Sequence, residues 1–381
     1  MKGYIKEQLA LHPSIMPQDV VKMCFQAAYG AEHLLTDIEK VRAYFDSEWE
    51  KCEAKEELLA EFIAPDVCRV NLGAWKKRGL PPEWLFNIFV QAASVAMEDS
   101  EQKFFEYVRE WEDTLRHCEE RKRRSNPPIP IKCSQWIASS GLCPPRNDEI
   151  SFQLSAFQAY MQSYLANCEN GKPRAVHHSR QYRDAERPAY RVVSGTQIQL
   201  VEFFNRLEYF PQRFPIVIAI DGRAASGKST LAANMKATMG AEVIHMDDFF
   251  LPAELRTTER LAQPGGNIHY ERFTGEVLPH LRSGRAFEYR IFDCGAMDYV
   301  GTRQVAEADI LVVEGVYSRH PAFGKYFDLA VFCDIDPTEQ IHRIEKRNGT
   351  HLANLFATKW IPMEEKYFNE FHIRENASVT I

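Results

Sequence analysis

The stretch "IDGRAASGKSTLA" at residues 220–232 decides how the second half of the chain folds. It sets Gly222 and Gly227 around a run of mostly small residues and continues with Lys228 and Ser229, directly after an apolar run. The glycines let the backbone curl so that its N–H groups face one anion, and the helix that follows directs its positive end at the same point. The pattern G-x-x-x-x-G-K-[ST] between a strand and a helix therefore predicts a phosphate-binding loop.

The predicted loop indicates ATP and Mg²⁺ as ligands. Lys228 adds a point charge at the β and γ phosphates, and the hydroxyl of Ser229 can ligate Mg²⁺. A glycine-rich turn that binds nothing is the alternative. The residues expected to contact the nucleotide are consecutive in the chain: Gly222, Arg223, Ala224, Ala225, Ser226, Gly227, Lys228, Ser229 and Thr230.

From about residue 214 onward, short apolar runs alternate with helical segments. The runs are "FPIVIAID", "AEVIHMDD", "ADILVVEG", "FDLAVFCDID" and "ASVTI". This alternation predicts a mostly parallel sheet with helices on both faces. The first four runs each end in an acid or a glycine, and ligands of open α/β sheets bind beyond the carboxyl ends of the strands. The acids are therefore expected to gather at the site.

Two of these acids are candidates for chemistry. Asp247 follows the second strand, where a carboxylate can accept the proton of an attacking hydroxyl or hold Mg²⁺ through water. Its neighbour Asp248 is interpreted as a helix N-cap or a solvated acid. Glu314 follows a fully apolar strand and is expected to be a magnesium or water ligand, with a loop anchor as the alternative.

The segment "DPTEQIHRIEKRNG" predicts a helix capped by Asp336. Arg343 and Arg347 are four residues apart and share a face of this helix. Two guanidinium groups on one face suit a lid that closes on transferring phosphates and neutralises developing charge. A solvated face in which Glu339 and Glu345 are the partners is the alternative.

The first half of the chain reads mainly as helices. "PQDVVKMCFQAAYGAEHLL" and "PPEWLFNIFVQAASVAM" carry apolar residues at helical spacing, with proline near the start. A further helix, in "EISFQLSAFQAYMQSYLANCENG", is expected to end at Gly171, and "KPRAVHHSRQYRDAERPAYRVVSG" is interpreted as an irregular closing segment. The patterns predict a mainly helical domain over 1–195 and an α/β domain over 196–381.

The irregular segment holds a set of polar residues. They can bind an anion or a nucleotide, or they can form a satisfied packing segment. The set is His177, His178, Tyr182, Arg183 and Arg191.

Composition limits the classes of partner and compartment. The net charge of -7 argues against nucleic acid as the main partner. No secretory leader and no apolar run of membrane length is apparent, and nine cysteines without a C-x-x-C favour a reducing cytoplasm. The irregular spacing of Cys133 and Cys143 argues against a metal site with the two histidines. The expected partner is a small-molecule substrate, with no membrane contact, and a homodimer is left open.

Residues 214–381 resemble the uridine kinase-like branch of the P-loop kinases, which includes phosphoribulokinases and type I pantothenate kinases. The resemblance is carried by "IDGRAASGKSTLA", "HMDDFFLP", "PGGNIHYERF", "VVEGVY", "RIEKRNG" and "ENASVTI". It implies an α/β P-loop kinase domain that phosphorylates a hydroxyl of a nucleoside or sugar-like molecule with ATP. Asp247 matches the catalytic acid of the family, Lys228 and Ser229 match its phosphate and magnesium residues, and Arg343 and Arg347 fall in its lid.

The resemblance also indicates which residues would line the pocket for the hydroxyl-bearing acceptor. His269, Tyr270 and Glu271 fall where relatives line it, but many relatives have an acid where His269 stands. "EYRIFDCGAMDY" lacks the histidine-containing stretch typical of true uridine kinases, so both departures argue against uridine itself.

The first half resembles a helical module that is also found alone in bacteria, through "PQDVVKMCFQAAYGAEHLL", "CRVNLGAW" and "HHSRQYRDAERPAYRVV". Two alternatives to a plain kinase follow. One is a regulatory P-loop protein that binds nucleotide as a signal while its helical half engages a partner. The other is a bifunctional enzyme whose helical half carries out its own chemistry.

Overall fold

The computed structural model describes residues 1–124 and 152–381. These residues form two compact units, Met1–Ile198 and Gln199–Ile381, where the sequence suggested a boundary between 195 and 196. The proline-rich connection "SNPPIPIKC" and the cysteines Cys133 and Cys143 lie outside the described residues.

The helices of the first unit follow the predicted apolar spacing. Their core includes Val20, Cys24, Phe104, Trp111 and Phe157, which are all buried. The helices are Lys2–Leu11 (α1), Pro17–Tyr29 (α2), Ile38–Lys51 (α3), Leu72–Lys77 (α4), Pro82–Ala93 (α5), Ser100–Arg124 (α6), Leu154–Ala166 (α7) and Arg180–Glu186 (α8).

The end of α7 differs from the expectation. The helix is capped at Asn167, and Gly171, with φ +71°, instead closes a separate short turn at Glu169–Gly171. Helical spacing located the helix, but the intervening polar residues carried no signal for its last residue.

A small antiparallel sheet in the first unit was not predicted. Its strands are Ala60–Ala64 (β1), Val67–Asn71 (β2) and Tyr190–Ser194 (β3), in the order β1-β2-β3. The reading of the segment up to residue 195 as wholly irregular was therefore wrong. All five residues of β2 are buried, Arg69 and Asn71 included, and a segment this short without alternation cannot be told from a buried helical turn by periodicity. The partners of β2 lie far apart in the chain, so only the folded unit reveals the pairing.

The second unit contains the predicted parallel sheet. All five apolar runs form strands of one sheet in the order β10-β9-β4-β8-β5, and every pair is parallel. Its strands are Ile216–Gly222 (β4), Glu242–His245 (β5), Ile310–Glu314 (β8), Leu329–Cys333 (β9) and Val379–Thr380 (β10). The register sets Ile220 beside Glu314 and Glu314 beside His245, so the carboxyl ends of these strands lie at one edge.

The sheet is accompanied by helices and by one hairpin. The strands Phe287–Asp293 (β6) and Asp298–Val305 (β7) form an antiparallel hairpin around "EYRIFDCGAMDY", which the sequence reading had treated only as an acceptor border. The helices are Ile198–Arg206 (α9), Lys228–Met239 (α10), Thr258–Leu261 (α11), Tyr270–Glu276 (α12), Pro337–Leu355 (α13) and Ile361–Glu370 (α14).

Helix α13 begins as predicted. The Asp336 side chain accepts hydrogen bonds from the N–H groups of Thr338 and Glu339, and Pro337 stands in the first turn. The helix is kinked at Gly349, which has φ +80°, and a π-helical turn at Phe356–Trp360 leads into α14. The C-terminal helices thereby return to the loop that follows β4, as the contacts below show.

Within the described residues, no helix combines the length and the apolar character needed to cross a membrane.

Candidate active site

The predicted phosphate-binding loop, residues 222–229, bends at its two glycines. Gly222 has φ +134°, and a Cβ there would lie 2.2 Å from the backbone oxygen of Cys333 on the neighbouring strand. Gly227 has φ +98° directly before α10, and Ala225 between them has φ +59°, a conformation that costs a non-glycine residue about 1 kcal/mol or more. The first N–H groups of α10 have no helical acceptor, which is the arrangement that binds phosphate.

The side chain of Lys228 is folded onto this loop. Its Nζ donates to the backbone oxygens of Gly222 at 2.9 Å and Arg223 at 2.6 Å, and the side chain is largely buried. An anion held by the loop therefore meets a fixed ammonium as well as the positive end of a helix.

Glu314 lies against the loop through Ser229. The Ser229 hydroxyl donates to Glu314 Oε2 at 3.2 Å, and Glu314 Oε1 lies 2.5 Å from His245 Nδ1. Gly315 allows this close approach, because a Cβ there would lie 2.8 Å from the Cβ of Met246. The contact brings together two of the three sequence-predicted oxygen ligands, Ser229 and Glu314, and such oxygen donors suit a hard cation such as Mg²⁺.

Asp247 interacts electrostatically with Glu314 and Lys228. Its side chain is exposed, yet the protein groups around it raise its pKa, first by desolvation and then by repulsion from the Glu314 carboxylate. Lys228 acts in the opposite direction on this pKa. Two carboxylates and one ammonium thus interact at the carboxyl edge of the sheet, and a raised carboxylate pKa is typical of a proton acceptor in an active site.

Asp248 is an anchor for the hairpin. It is buried, and its Oδ2 accepts from the Tyr289 hydroxyl and from Arg303 Nε, both at 3.0 Å. The interpretation as a helix cap or solvated acid was therefore wrong. Both partners stand on the β6–β7 hairpin, which the sequence reading missed.

A second buried carboxylate, Asp221, organises the loops behind the site. It accepts the N–H of Gly222 at 2.8 Å, the N–H of Arg319 at 3.1 Å and the hydroxyl of Tyr367 at 2.8 Å, and burial raises its pKa. It also accepts the N–H of Tyr317, a residue held at φ +74°. Strained backbone of this kind persists only where the surroundings fix it, as at functional sites.

Helices α13 and α14 clamp the first half of the phosphate loop. Glu364 Oε2 accepts the Ala224 N–H at 3.1 Å, and Gln340 Nε2 donates to the Ala224 oxygen at 3.1 Å. Arg223 donates to Asp334 at 2.8 Å and also pairs with Glu365. Sequence reasoning did not predict these contacts, because the partners lie more than a hundred positions from the loop and no local pattern links them to it. Burial raises the pKa of Glu364 to about 7, even though Lys228 lowers it.

Glu364→Gln is expected to stabilise the protein at pH 8 and to change little at pH 5. The pKa of this carboxyl rises from 4.5 to about 7 on folding, so the stability it contributes is present at low pH and is lost as the pH rises through 7. At pH 8 the buried charge costs about 2–3 kcal/mol, whereas a neutral glutamine can still accept the Ala224 N–H. Thermal unfolding at the two pH values measures the difference. Glu365→Gln is the control and should show no gain, and equal gains at both pH values would contradict the assignment.

The predicted acceptor residues begin where the chain pairs with Phe249, directly after Asp248, and they are engaged locally. The His269 N–H donates to the backbone oxygen of Phe249 at 2.7 Å, and its side chain caps α12. Tyr270 stacks on His320 with ring centroids 5.0 Å apart. Glu271 accepts two hydrogen bonds from Arg260, at 2.8 and 3.0 Å. These contacts hold the three residues against Phe249, His320 and Arg260.

The candidate lid arginines are exposed on α13. Arg343 Nε donates to Glu339 at 2.7 Å, and Arg347 Nε donates to Asn348 at 2.7 Å. Within the described residues, the side-chain hydrogen bonds of both therefore stay on their own helix, and the structure does not bring them to the phosphate loop. For Arg343 this arrangement matches the solvated-face alternative with Glu339 as the partner.

Only some residues of the polar cluster predicted in the first unit lie together in the structure. His178 and Tyr182 are buried and their rings stack, with centroids 4.4 Å apart. His177 and Arg183 are exposed. Arg191 is buried, but it pairs with Glu48 at 2.6 Å. The arginines therefore do not converge on one anion site.

No protein-family model matches the chain. Among solved structures, it is similar to a possible uridine kinase from Bacillus stearothermophilus, at 20% identity and a TM-score of 0.36, covering 45% of this chain and 91% of that chain. A provisionally assigned fructose transport system kinase from Silicibacter sp. TM1040 gives 19% identity and a TM-score of 0.39, covering 49% of this chain and 98% of that chain. The protein TT1252 from Thermus thermophilus gives 21% identity and a TM-score of 0.25, with 44% and 88% covered.

The α/β fold of the second unit is shown by its own parallel sheet, with the strand order β10-β9-β4-β8-β5, and by the glycine-bent loop after β4.

Proposed function

We propose that the second unit is an ATP-dependent phosphotransferase that moves the γ-phosphoryl group to a hydroxyl of a small molecule, in the manner of uridine kinase-like enzymes. The observation that carries the proposal is the contact of Ser229 with Glu314 beside Asp247 and Lys228. A loop that only held phosphate would not need two interacting carboxylates at its open side.

The loop is proposed to hold the triphosphate. Main-chain N–H groups at the start of α10 and the ammonium of Lys228 would face the β and γ phosphates. Ser229, Asp247 and Glu314 are the proposed Mg²⁺ ligands, directly or through water, and a bound ion would neutralise charge on the phosphate oxygens.

Asp247 is proposed as the general base. The acceptor oxygen forms the new bond to the γ-phosphorus, the bond from that phosphorus to the oxygen bridging to the β-phosphate breaks, and ADP leaves. Asp247 takes the proton of the acceptor hydroxyl. Because the raised pKa of Asp247 lies closer to neutrality than that of an ordinary aspartate, the carboxylate is a better proton acceptor. The remaining acceleration comes from positioning and charge stabilisation.

The acceptor is proposed to be a nucleoside or a sugar-like polyol. His269, Tyr270 and Glu271 are the proposed acceptor contacts, and their imidazole, phenol and carboxylate groups suit hydroxyls as hydrogen-bond partners. His269 presents an imidazole where an acid would otherwise bind sugar hydroxyls, so a broader screen than uridine is required.

The test is acceptor-dependent release of ADP by the full chain with Mg²⁺ and ATP. Nucleosides, sugars, sugar acids and pantothenate-like alcohols are screened, and at least one is expected to raise ADP release well above the rate with water alone. Tight ATP binding by calorimetry without any acceptor-dependent ADP would overturn the proposal in favour of the regulatory alternative.

Arg343 and Arg347 are proposed to act as a lid on the phosphates when α13 closes. The double change Arg343→Ala and Arg347→Ala is expected to lower kcat/KM for ATP by about tenfold or more, because two charge-assisted contacts to the transferring group are lost. Both side chains are exposed, so the thermal midpoint should stay within about a degree. His342→Ala on the same helix is the control, and wild-type kinetics in the double variant would assign both arginines to the solvated face.

A further inference from the structure

The first unit contains a polar cavity of about 80 Å³ that the proposed kinase function does not use. Its floor carries hydrogen-bonding side chains from five separate segments of that unit. They are His12, Glu61, Asn71, Tyr182, Glu186 and Tyr190. Buried polar groups are costly unless they are satisfied, so such a set indicates either a structural network or a binding site.

One hydrogen-bonded chain in the floor runs from a carboxylate through an imidazole to a phenol. Glu61 Oε2 lies 2.8 Å from His12 Nε2, and His12 Nδ1 lies 3.1 Å from the Tyr182 hydroxyl. Asn71 fixes the carboxylate by donating to Glu61 Oε1 at 2.8 Å. With Nε2 bonded to the carboxylate, Nδ1 is the ring nitrogen that meets the Tyr182 hydroxyl.

A second chain repeats this order. Asp19 Oδ1 lies 2.8 Å from His178 Nδ1, and His178 Nε2 lies 2.6 Å from the Tyr190 hydroxyl. Ser179 donates to Asp19 through both its N–H and its hydroxyl, at 2.9 and 2.6 Å. Burial lowers the pKa of His178 to about 4, so the ring is neutral, donates to Asp19 and accepts the proton of Tyr190.

The two chains converge on the cavity. The His178 ring stacks on Tyr182 at an interplanar angle of 13°, and both Tyr182 and Tyr190 line the cavity. Tyr190 gives its proton to His178 and accepts from Gln26 Nε2 at 3.2 Å, which leaves one lone pair of its oxygen for a ligand. A core that needed only packing would not require two hydrogen-bonded chains that end at the same cavity.

The charged groups of the cavity also favour a cation over an anion as the ligand. Glu186 lies on the floor with Glu61, and its Oε2 is 3.7 Å from His12 Nδ1. The cations of the lining, Lys55 and Arg187, are exposed at the rim. The lining therefore presents acceptors and carboxylates in its interior, while the buried guanidinium of Arg69 lies behind it over the Tyr190 ring, 4.8 Å from the ring centroid.

We propose that this cavity binds a small organic cation with N–H donors, an ammonium or a guanidinium group, on the oxygens of Tyr182, Tyr190, Glu61 and Glu186. A volume of about 80 Å³ admits a group of roughly four to six non-hydrogen atoms, and a longer ligand extends past the rim. This proposal does not depend on the kinase function.

The test is saturation-transfer NMR on the full chain at low salt with five probes of similar size. Ethylammonium and methylguanidinium supply both charge and N–H donors. Tetramethylammonium has only the charge, propionamide has only the donors, and propionate carries the opposite charge. The first two are expected to bind at least about tenfold more tightly than the others. Equal binding of tetramethylammonium, preferred binding of propionate, or no binding of either N–H cation would overturn the proposal.

Two variants locate the binding site. Glu61→Gln removes the charge and Tyr190→Phe removes one acceptor, and each is expected to weaken ethylammonium binding by at least about tenfold. Glu50→Gln, an exposed residue outside the lining, is the control and should bind as the wild type does. Should Glu61→Gln fail to fold, Tyr190→Phe still decides, because it deletes a single oxygen. Undiminished binding in folded Tyr190→Phe would overturn the proposal.

Discussion

Lys228→Ala is expected to lower turnover by roughly a thousandfold. The ammonium stands on the phosphate loop next to the Asp247 and Glu314 carboxylates, and it is the cation that the proposed transition state meets. Removing one preorganised donor from a developing charge costs about 10²–10³ in kcat, and the loss of a full positive charge belongs at the upper end. Steady-state kinetics with a saturating acceptor measure the change.

The variant needs a control for folding. Lys228 also donates to two loop carbonyls, so Lys228→Ala should lower stability by about 1–3 kcal/mol. Lys236→Ala removes a lysine from the same helix that pairs with Glu242 at the surface, and it should keep wild-type turnover. If Lys228→Ala keeps more than about a tenth of the turnover while folded, the ammonium is not part of the chemistry.

Asp247→Asn is expected to lose about 10²–10⁴ in kcat and to keep ATP binding. An amide occupies the same space but cannot take the acceptor proton, and general-base assistance accounts for this range of rate. ATP affinity should hold or rise slightly, because the change removes a carboxylate that repels Glu314. Single-turnover kinetics and calorimetric titration with ATP separate the two effects.

The adjacent aspartate is the matched control. Asp248→Asn weakens the contacts to Tyr289 and Arg303, so it should lower the thermal midpoint while kcat stays within about tenfold of the wild type. The opposite pattern, with Asp248→Asn inactive and Asp247→Asn normal, would exchange the two assignments.

The wild-type pH profile should agree with the Asp247 variant. Because desolvation by the surrounding groups and the Glu314 charge raise the pKa of Asp247, kcat/KM is expected to fall as the pH drops through that raised value. If kcat/KM still falls at low pH in Asp247→Asn, another titrating group causes the fall.

The phosphate loop and the parallel sheet were predictable because their determinants are local. The residues from Gly222 to Ser229 specify the bend, and each apolar run specifies a strand without reference to the rest of the chain. The positions of Asp247 and Glu314 followed, because parallel strands present their carboxyl ends at one edge. The contact between Ser229 and Glu314 is the product of that register.

The remaining parts of the site were not predictable because they depend on distant pairing. Glu364 reaches Ala224 only because α13 and α14 return to the loop. The role of Asp248 required the β6–β7 hairpin, whose alternating burial was not recognised. In the first unit, the strand β3 joins residues near 190 to residues near 70, a separation that composition and spacing do not encode.

The most direct test of the proposed mechanism is a crystal structure of the full chain with Mg²⁺ and a non-hydrolysable ATP analogue. It should show the β and γ phosphates within hydrogen-bonding distance of the N–H groups at the start of α10 and of Lys228 Nζ, with the Asp247 carboxylate facing the γ-phosphorus from the acceptor side. Phosphates bound elsewhere, or an Asp247 carboxylate turned away from the γ-phosphorus, would contradict phosphoryl transfer at this site.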